Sequence, residues 1–160
     1  MPSMFSKGKF DMKKVLFLCH GNICRSPMAE FIFKDLAKGE DLYAESTAVS
    51  REEIGNPIYP KAADTLRRHA IPFGGHRARQ ITTEDYDRFD YIVVMEEYNI
   101  PRLMRIIGDD PDKKVYRLLD FTDTPGDIED PWYSGRFEAV FNQIHDGCKA
   151  LLKHIKNTEE

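Results

Sequence analysis

The chain has 160 residues, enough for one domain with its own core, and an ordinary composition of 31% charged and 41% hydrophobic residues. A net charge of −4 gives no bulk basic signal for nucleic acid or a membrane surface, and no apolar run approaches the roughly 20 residues that a membrane span needs. Three cysteines, two of them in one short segment, do not make a disulfide framework, so a reducing cytoplasm fits, with export lacking a signal peptide left open.

Residues 1–12 carry lysines but no apolar core and read as a mobile N-terminal extension, not a secretory signal; the domain is expected over 13–160. Residues 14–18 form the first predicted strand. A helix follows over 26–38, with Ser26 as its cap, Pro27 in its first turn and Gly39 at its end. A second strand is predicted over 42–49, then a helix over 60–69 and a turn at 71–75. The apolar run within 90–95 is the clearest buried strand, and 97–107 reads as helical. A short fourth strand is expected over 114–119, then an Asp-, Pro- and Gly-rich loop over 120–131. The last helix carries Phe137, Val140, Phe141, Ile144, Cys148, Leu151, Leu152 and Ile155 as one apolar stripe. This alternation predicts a single α/β domain with a doubly wound sheet of four parallel strands flanked by helices. In such sheets ligands bind at the carboxyl ends of strands, and Cys19 ends the first one.

The segment Cys19-His20-Gly21-Asn22-Ile23-Cys24-Arg25-Ser26 joins that strand to that helix. A short Gly-containing loop there turns successive N–H groups inward, and the helix adds its positive end. The concavity suits a dianion, with a thiol at its base. A free thiol ionises near about 8.5, so Cys19 needs the loop amides, the charge of Arg25 and the hydroxyl of Ser26 to act as a thiolate. The planar fork of Arg25 can hold two phosphoryl oxygens at once.

Cleaving a phosphate ester also calls for an acid opposite the nucleophile. Asp130 is the leading candidate, because Pro131 restricts its backbone and Trp132 and Tyr133 bring apolar surface that would keep water away and favour its neutral form. Asp127 and Glu129 are rivals on the same loop. Cys148 reads as a core thiol, and His69, His145 and His154 as solvated or edge histidines. The five histidines lack metal-ligand spacing, so neither metal nor cofactor is expected.

On these residues the chain resembles the low-molecular-weight protein tyrosine phosphatases over about residues 13–155. The family's loop pattern, Cys-x-Gly-Asn-x-Cys-Arg-Ser-Pro, is matched by Cys19, Gly21, Asn22, Cys24, Arg25, Ser26 and Pro27, and its late Asp-Pro-aromatic motif by Asp130-Pro131-Trp132. His76-Arg77-Ala78-Arg79-Gln80 and Asp90-Tyr91-Ile92-Val93 resemble its internal segments in the right order. In the larger tyrosine phosphatases the acid precedes the cysteine; here the cysteine comes first.

The resemblance implies a flavodoxin-like fold with the phosphate loop after the first strand. It implies Cys19 as nucleophile, Arg25 as phosphate clamp and Asp130 as acid, acting on phosphotyrosine-containing proteins as a monomer or weak dimer. It also implies a supporting network of Asn22, Ser26, Ser46 and His76, with Asn22 in a left-handed conformation, and Cys24 as a redox partner of Cys19. Many relatives wall the pocket with a Trp after the second strand, where this chain has Glu52; Trp132 and Tyr133 are then left to hold the substrate ring, while Glu52 and Glu53 repel acidic peptides. His20 is a further variable loop position, able to contact substrate or add charge.

Other functions compete. Thiol-relay arsenate reductases share the fold but need two more downstream cysteines, and only Cys148 lies there. Protein arginine phosphatases usually carry Thr where this chain has Ile23, whose larger apolar side chain favours an aryl ester. A non-catalytic phosphotyrosine or phosphate reader remains open, although such a protein could dispense with Cys19 or Asp130.

Overall fold

The computed structural model describes residues 12–158, so the expected N-terminal extension lies, apart from Met12, outside the described residues. Four strands form one parallel sheet in the order β2-β1-β3-β4. They are β1 (Lys13–Cys19), β2 (Leu42–Ala48), β3 (Tyr91–Val94) and β4 (Val115–Arg117). The helices are α1 (Arg25–Leu36), α2 (Pro60–Arg68), α3 (Thr83–Arg88), α4 (Asn99–Ile107), α5 (Pro131–Ser134) and α6 (Phe137–Thr158), with a 3-10 helix at Leu118–Phe121. None of the described helices is long and apolar enough to cross a membrane.

β1 is the central strand, and its side chains alternate between two cores as strand geometry requires. Val15, Phe17 and Cys19 face the cluster built with α1, α2 and α6, where Met28, Leu66, Ile144 and Cys148 are buried. Leu16 and Leu18 face the opposite cluster with Phe89, Ile92 and Leu103. Each large apolar side chain buried here contributes about 1.5–3 kcal/mol, so β1 anchors both layers. Cys19 pairs with Ala48 at the carboxyl end of the β1–β2 ladder, so a central strand paired on both sides ends at the thiol.

Several local expectations need correction. The N-cap of α1 is Cys24, with no side-chain cap bond, and the helix ends at Leu36 with Ala37 as its C-cap, before Gly39. Ser26 sits inside the helix, leaving its hydroxyl free for the sulfur. The short helix α3 falls in a stretch the sequence left unassigned; Thr82 and Asp85 bond each other's backbones reciprocally and start it. The fourth strand stops at Arg117, and the chain then tightens into the 3-10 helix. A Cβ added at Gly147 would lie 2.5 Å from Leu118 Cγ, so this glycine lets α6 lie close against that turn. The turn leads into the 120–131 loop and fixes where the loop begins.

Candidate active site

The loop between β1 and α1 closes around one sulfur atom. The Asn22 and Ser26 N–H groups donate to Cys19 Sγ at 3.3 and 3.4 Å, and the Ser26 hydroxyl lies 3.0 Å away. Asn22 Nδ2 donates to the same hydroxyl at 2.9 Å, which leaves the Ser26 proton to bond the sulfur or the Thr47 carbonyl, 3.4 Å away. The N–H donors and the positive end of α1 converge on the sulfur. Asn22 adopts a φ of 62°, the left-handed region that Asn tolerates better than most residues. Its carbonyl is bonded by His76 Nε2 at 2.7 Å, and its side-chain oxygen accepts from the Arg79 N–H at 3.2 Å. The loop backbone is tied on further by Val49 N–H to the Cys19 carbonyl, Ser50 N–H to that of His20 and Tyr59 N–H to that of Ile23.

Arg25 opens α1 and is 3% exposed. Its Nη1 donates to the Ile128 carbonyl at 2.9 Å, and its Nη2 lies 2.6 Å from Glu96 and 3.4 Å from Asp130. Burial works against its charge, but Cys19, Glu96 and Asp130 outweigh it and hold the guanidinium firmly protonated. Burial pushes the Cys24 thiol up, with Cys19 and Asp130 adding to the effect.

The 120–131 loop carries the three candidate acids Asp127, Glu129 and Asp130, and the structure separates them. Asp127 accepts from the Glu97 N–H and from Arg117, and Glu129 pairs with Arg136 at 2.8 Å. Asp130 lines the same pocket as Cys19 and Arg25. Its Oδ1 accepts from the Trp132 N–H at 3.0 Å, capping α5. The expected apolar enclosure of Asp130 is not seen. Its side chain is 32% exposed beside Arg25, while Trp132 leans on Tyr59 with ring centroids 4.8 Å apart and Tyr133 is 87% exposed. The aromatic residues form a rim, not a cover.

The pocket encloses about 170 Å³, with Cys19 and Arg25 on its floor and Ile23 on its side. Trp132 and Tyr133 rim one part of it, and Glu52 and Glu53 another. His20 Nε2 sits 3.2 Å from Glu52, and its Nδ1 is buried without a hydrogen-bond partner among the described residues. No group of three or more potential metal ligands occurs among the described residues.

A thiol loop of this shape, with a buried arginine and a carboxylate above it, has close counterparts in other proteins. Residues 14–160 match the model of the family described as low molecular weight phosphotyrosine protein phosphatase. The chain belongs to that family. The low molecular weight protein-tyrosine-phosphatase YfkJ of Bacillus subtilis is 42% identical over 155 residues, covering 93% of this chain and 99% of that one. Its crystal structure superposes with a TM-score of 0.89 over 94% of this chain and 98% of that one. The low molecular weight phosphotyrosine protein phosphatase of Gallus gallus is 40% identical over 89% of this chain and 96% of its own. The structure of SP-PTP, a low molecular weight protein tyrosine phosphatase from Streptococcus pyogenes, matches with 36% identity and a TM-score of 0.82 over 89% of this chain and 93% of that one.

Within this low-molecular-weight phosphatase, Asn22, Ser26 and His76 form one bonded group, and Ser46 stands outside it. Ser46 donates to Glu30 at 2.7 Å, while the carbonyl of the next residue, Thr47, lies 3.4 Å from the Ser26 hydroxyl. Ser46 pairs with Phe17 and so faces α1, but it meets that helix at Glu30, one turn past Ser26. Sequence reasoning missed Glu96, although it lies just past the carboxyl end of β3, where the strand-end rule places site residues. It also missed Arg79 as a loop anchor. The Arg79 side chain is pinned by Asp85 and Glu45, both at 2.9 Å, and this fixes the N–H that holds Asn22.

Proposed function

We propose that this chain hydrolyses phosphotyrosine in protein substrates, and simple aryl phosphates, through a cysteinyl-phosphate. The observation that carries the reading is the convergence of three hydrogen-bond donors on Cys19 Sγ at the floor of a pocket also lined by Arg25 and Asp130. In the first step the Cys19 thiolate attacks phosphorus in line and the P–O bond to the aryl group breaks. The leaving oxygen takes the electron pair and a proton from Asp130. Arg25 holds two phosphoryl oxygens throughout. In the second step Asp130 takes a proton from water, the oxygen of that water attacks phosphorus, and the S–P bond breaks. Thiolate and inorganic phosphate leave, and the Asp130 proton is ready for another cycle.

Ile23, Trp132 and Tyr133 offer apolar surface to an aryl ring, which favours an aryl ester over a phosphoguanidinium. The enzyme works without a metal, as a monomer or weak dimer, in a reducing compartment that keeps Cys19 a thiol. Phosphate release from a phosphotyrosyl peptide in the presence of EDTA tests the reading. The parent releases phosphate, and Cys19→Ser releases none. Equal release by both would overturn Cys19 as nucleophile; release from phosphoarginine but not from phosphotyrosine would move the protein to a different substrate class.

A further inference from the structure

The pocket has opposite charge at its two levels. On the floor stand Arg25, the inward N–H groups of Asn22 and Ser26, and the N-terminus of the 12-residue helix α1. At the mouth stand Glu52 and Glu53. Among the lining residues the only cationic side chains are Arg25, committed to the floor, and His20, paired with Glu52.

Both glutamates are held in place. The Ser50 N–H donates to the His20 carbonyl at 3.0 Å, the Glu52 N–H to Ser50 Oγ at 3.3 Å, and Glu52 itself meets His20 Nε2 at 3.2 Å. The Glu53 stem packs over Gly21, whose added Cβ would come 3.1 Å from Glu53 Cγ, and its carboxylate accepts from Asn56 at 2.8 Å. A charge held at one point discriminates between ligands better than one on a freely moving side chain. Glu52 is 68% exposed and so faces whatever lies outside the pocket mouth. With phosphate on the floor and the ring in the pocket, the residues flanking a phosphotyrosine meet this rim.

We propose that Glu52, positioned by His20, is a specificity determinant that selects phosphotyrosines with lysine or arginine beside them and rejects those with acidic neighbours. The inference rests on the phosphatase reading and deepens it. One fixed carboxylate within about 4 Å of a flanking charge, at near-water dielectric, changes the rate by up to about fivefold for each unit of flanking charge.

The test compares kcat/KM for three phosphotyrosyl peptides that differ only in basic, neutral or acidic flanks, with p-nitrophenyl phosphate as a substrate without flanks. The quantity read is the basic-to-acidic ratio, in which any general loss of activity cancels. The parent gives a ratio of about five or more, shrinking as NaCl rises from about 20 to about 300 mM. Glu52→Gln moves the ratio toward one, and Glu52→Lys inverts it. A parent ratio of one or less, or a ratio unchanged in both variants, overturns the proposal while leaving the phosphatase reading intact. Failure of the parent on the peptides and on p-nitrophenyl phosphate alike overturns both.

Discussion

Glu96 sets a carboxylate oxygen 2.6 Å from Nη2 of Arg25, although Arg25 opens α1 and Glu96 follows β3. With the Ile128 carbonyl on Nη1, it fixes the plane of the guanidinium fork. The Glu96 backbone is itself held, since Asn99 Oδ1 accepts from the N–H groups of Met95 and Glu96 at 3.2 and 3.0 Å. Glu96→Ala frees the fork to rotate. The expected result is a fall in kcat of about tenfold to a hundredfold on p-nitrophenyl phosphate, since a small misplacement of a clamping group can cost that much. Glu96→Gln keeps an oxygen acceptor and retains most of kcat. A kcat equal to the parent's in Glu96→Ala would show that the Ile128 carbonyl suffices.

Asp130 is the acid of the 120–131 loop that reaches the pocket with Cys19, because Asp127 and Glu129 are engaged elsewhere. Asp130→Asn therefore loses rate on two substrates unequally. The loss is larger for phenyl phosphate than for p-nitrophenyl phosphate, because the poorer leaving group depends more on the proton. Steady-state rates on the two substrates check this; equal losses would point to a role in placing Arg25.

Burial pushes the Cys24 and Cys148 thiols up. The sign follows directly: a thiol whose folded value lies above its unfolded one stays neutral through the neutral range, and its burial starts to cost stability once pH passes the unfolded value near about 8.5, the loss growing until the folded value is reached. At pH 7 iodoacetate is thus expected to label one thiol per native chain, at Cys19, and three in urea. Mass spectrometry of digests reads the stoichiometry.

Cys24 lines the same pocket as Cys19. Peroxide is expected to convert Cys19 to a sulfenic acid, and attack by the Cys24 thiol on that sulfur would then release water and leave a disulfide. Dithiothreitol should restore activity after brief peroxide exposure in the parent. In Cys24→Ser recovery falls severalfold, because Cys19 proceeds to irreversible oxidation. Equal recovery in the two proteins would leave Cys24 as a packing residue.

Asp85 is buried and gathers Arg79, Arg88 and the Thr82 backbone. Burial alone would raise its carboxyl, but the bonds from Arg79 and Thr82 win and hold it below its ordinary value. Its contribution to stability is therefore present above the ordinary carboxylate range near about 4 and is lost as pH falls through the depressed folded value. Asp85→Asn should destabilise by about 2 kcal/mol at pH 7, by loss of the helix cap and of charged bonds. The gap should narrow toward pH 3 in urea melts followed by circular dichroism. Because Arg79 also holds Asn22, the same variant should weaken phosphate binding.

Most of this architecture was legible in the sequence because it obeys local rules. The Val15–Leu18 run, the 3.6-residue stripe of α6 and the Cys19–Ser26 loop each declare themselves within a few neighbouring residues. What stayed hidden depends on contacts between distant segments. Glu96 meets Arg25 across 71 positions of sequence, and Arg79 meets Asn22 across 57. The helix α3 is short and held by one cap, too little pattern to stand out. Ser46 was expected in the loop network, but it meets α1 at Glu30, one turn past Ser26, and only the neighbouring Thr47 carbonyl reaches the Ser26 hydroxyl. Trp132 and Tyr133 were expected to shield Asp130, yet the short helix α5 carries them outward to the rim.

Asn22, Ser26, His76 and Arg79 all belong to the chain, and between them they set the loop's curvature. Orthophosphate presents the same oxygens to the same N–H groups and to the same guanidinium as the ester does. A cradle shaped this way does not distinguish what has reacted from what has yet to react, except through the ring and the rim above it. The product of each turnover thus competes for the site, and the enzyme slows as free phosphate accumulates around it.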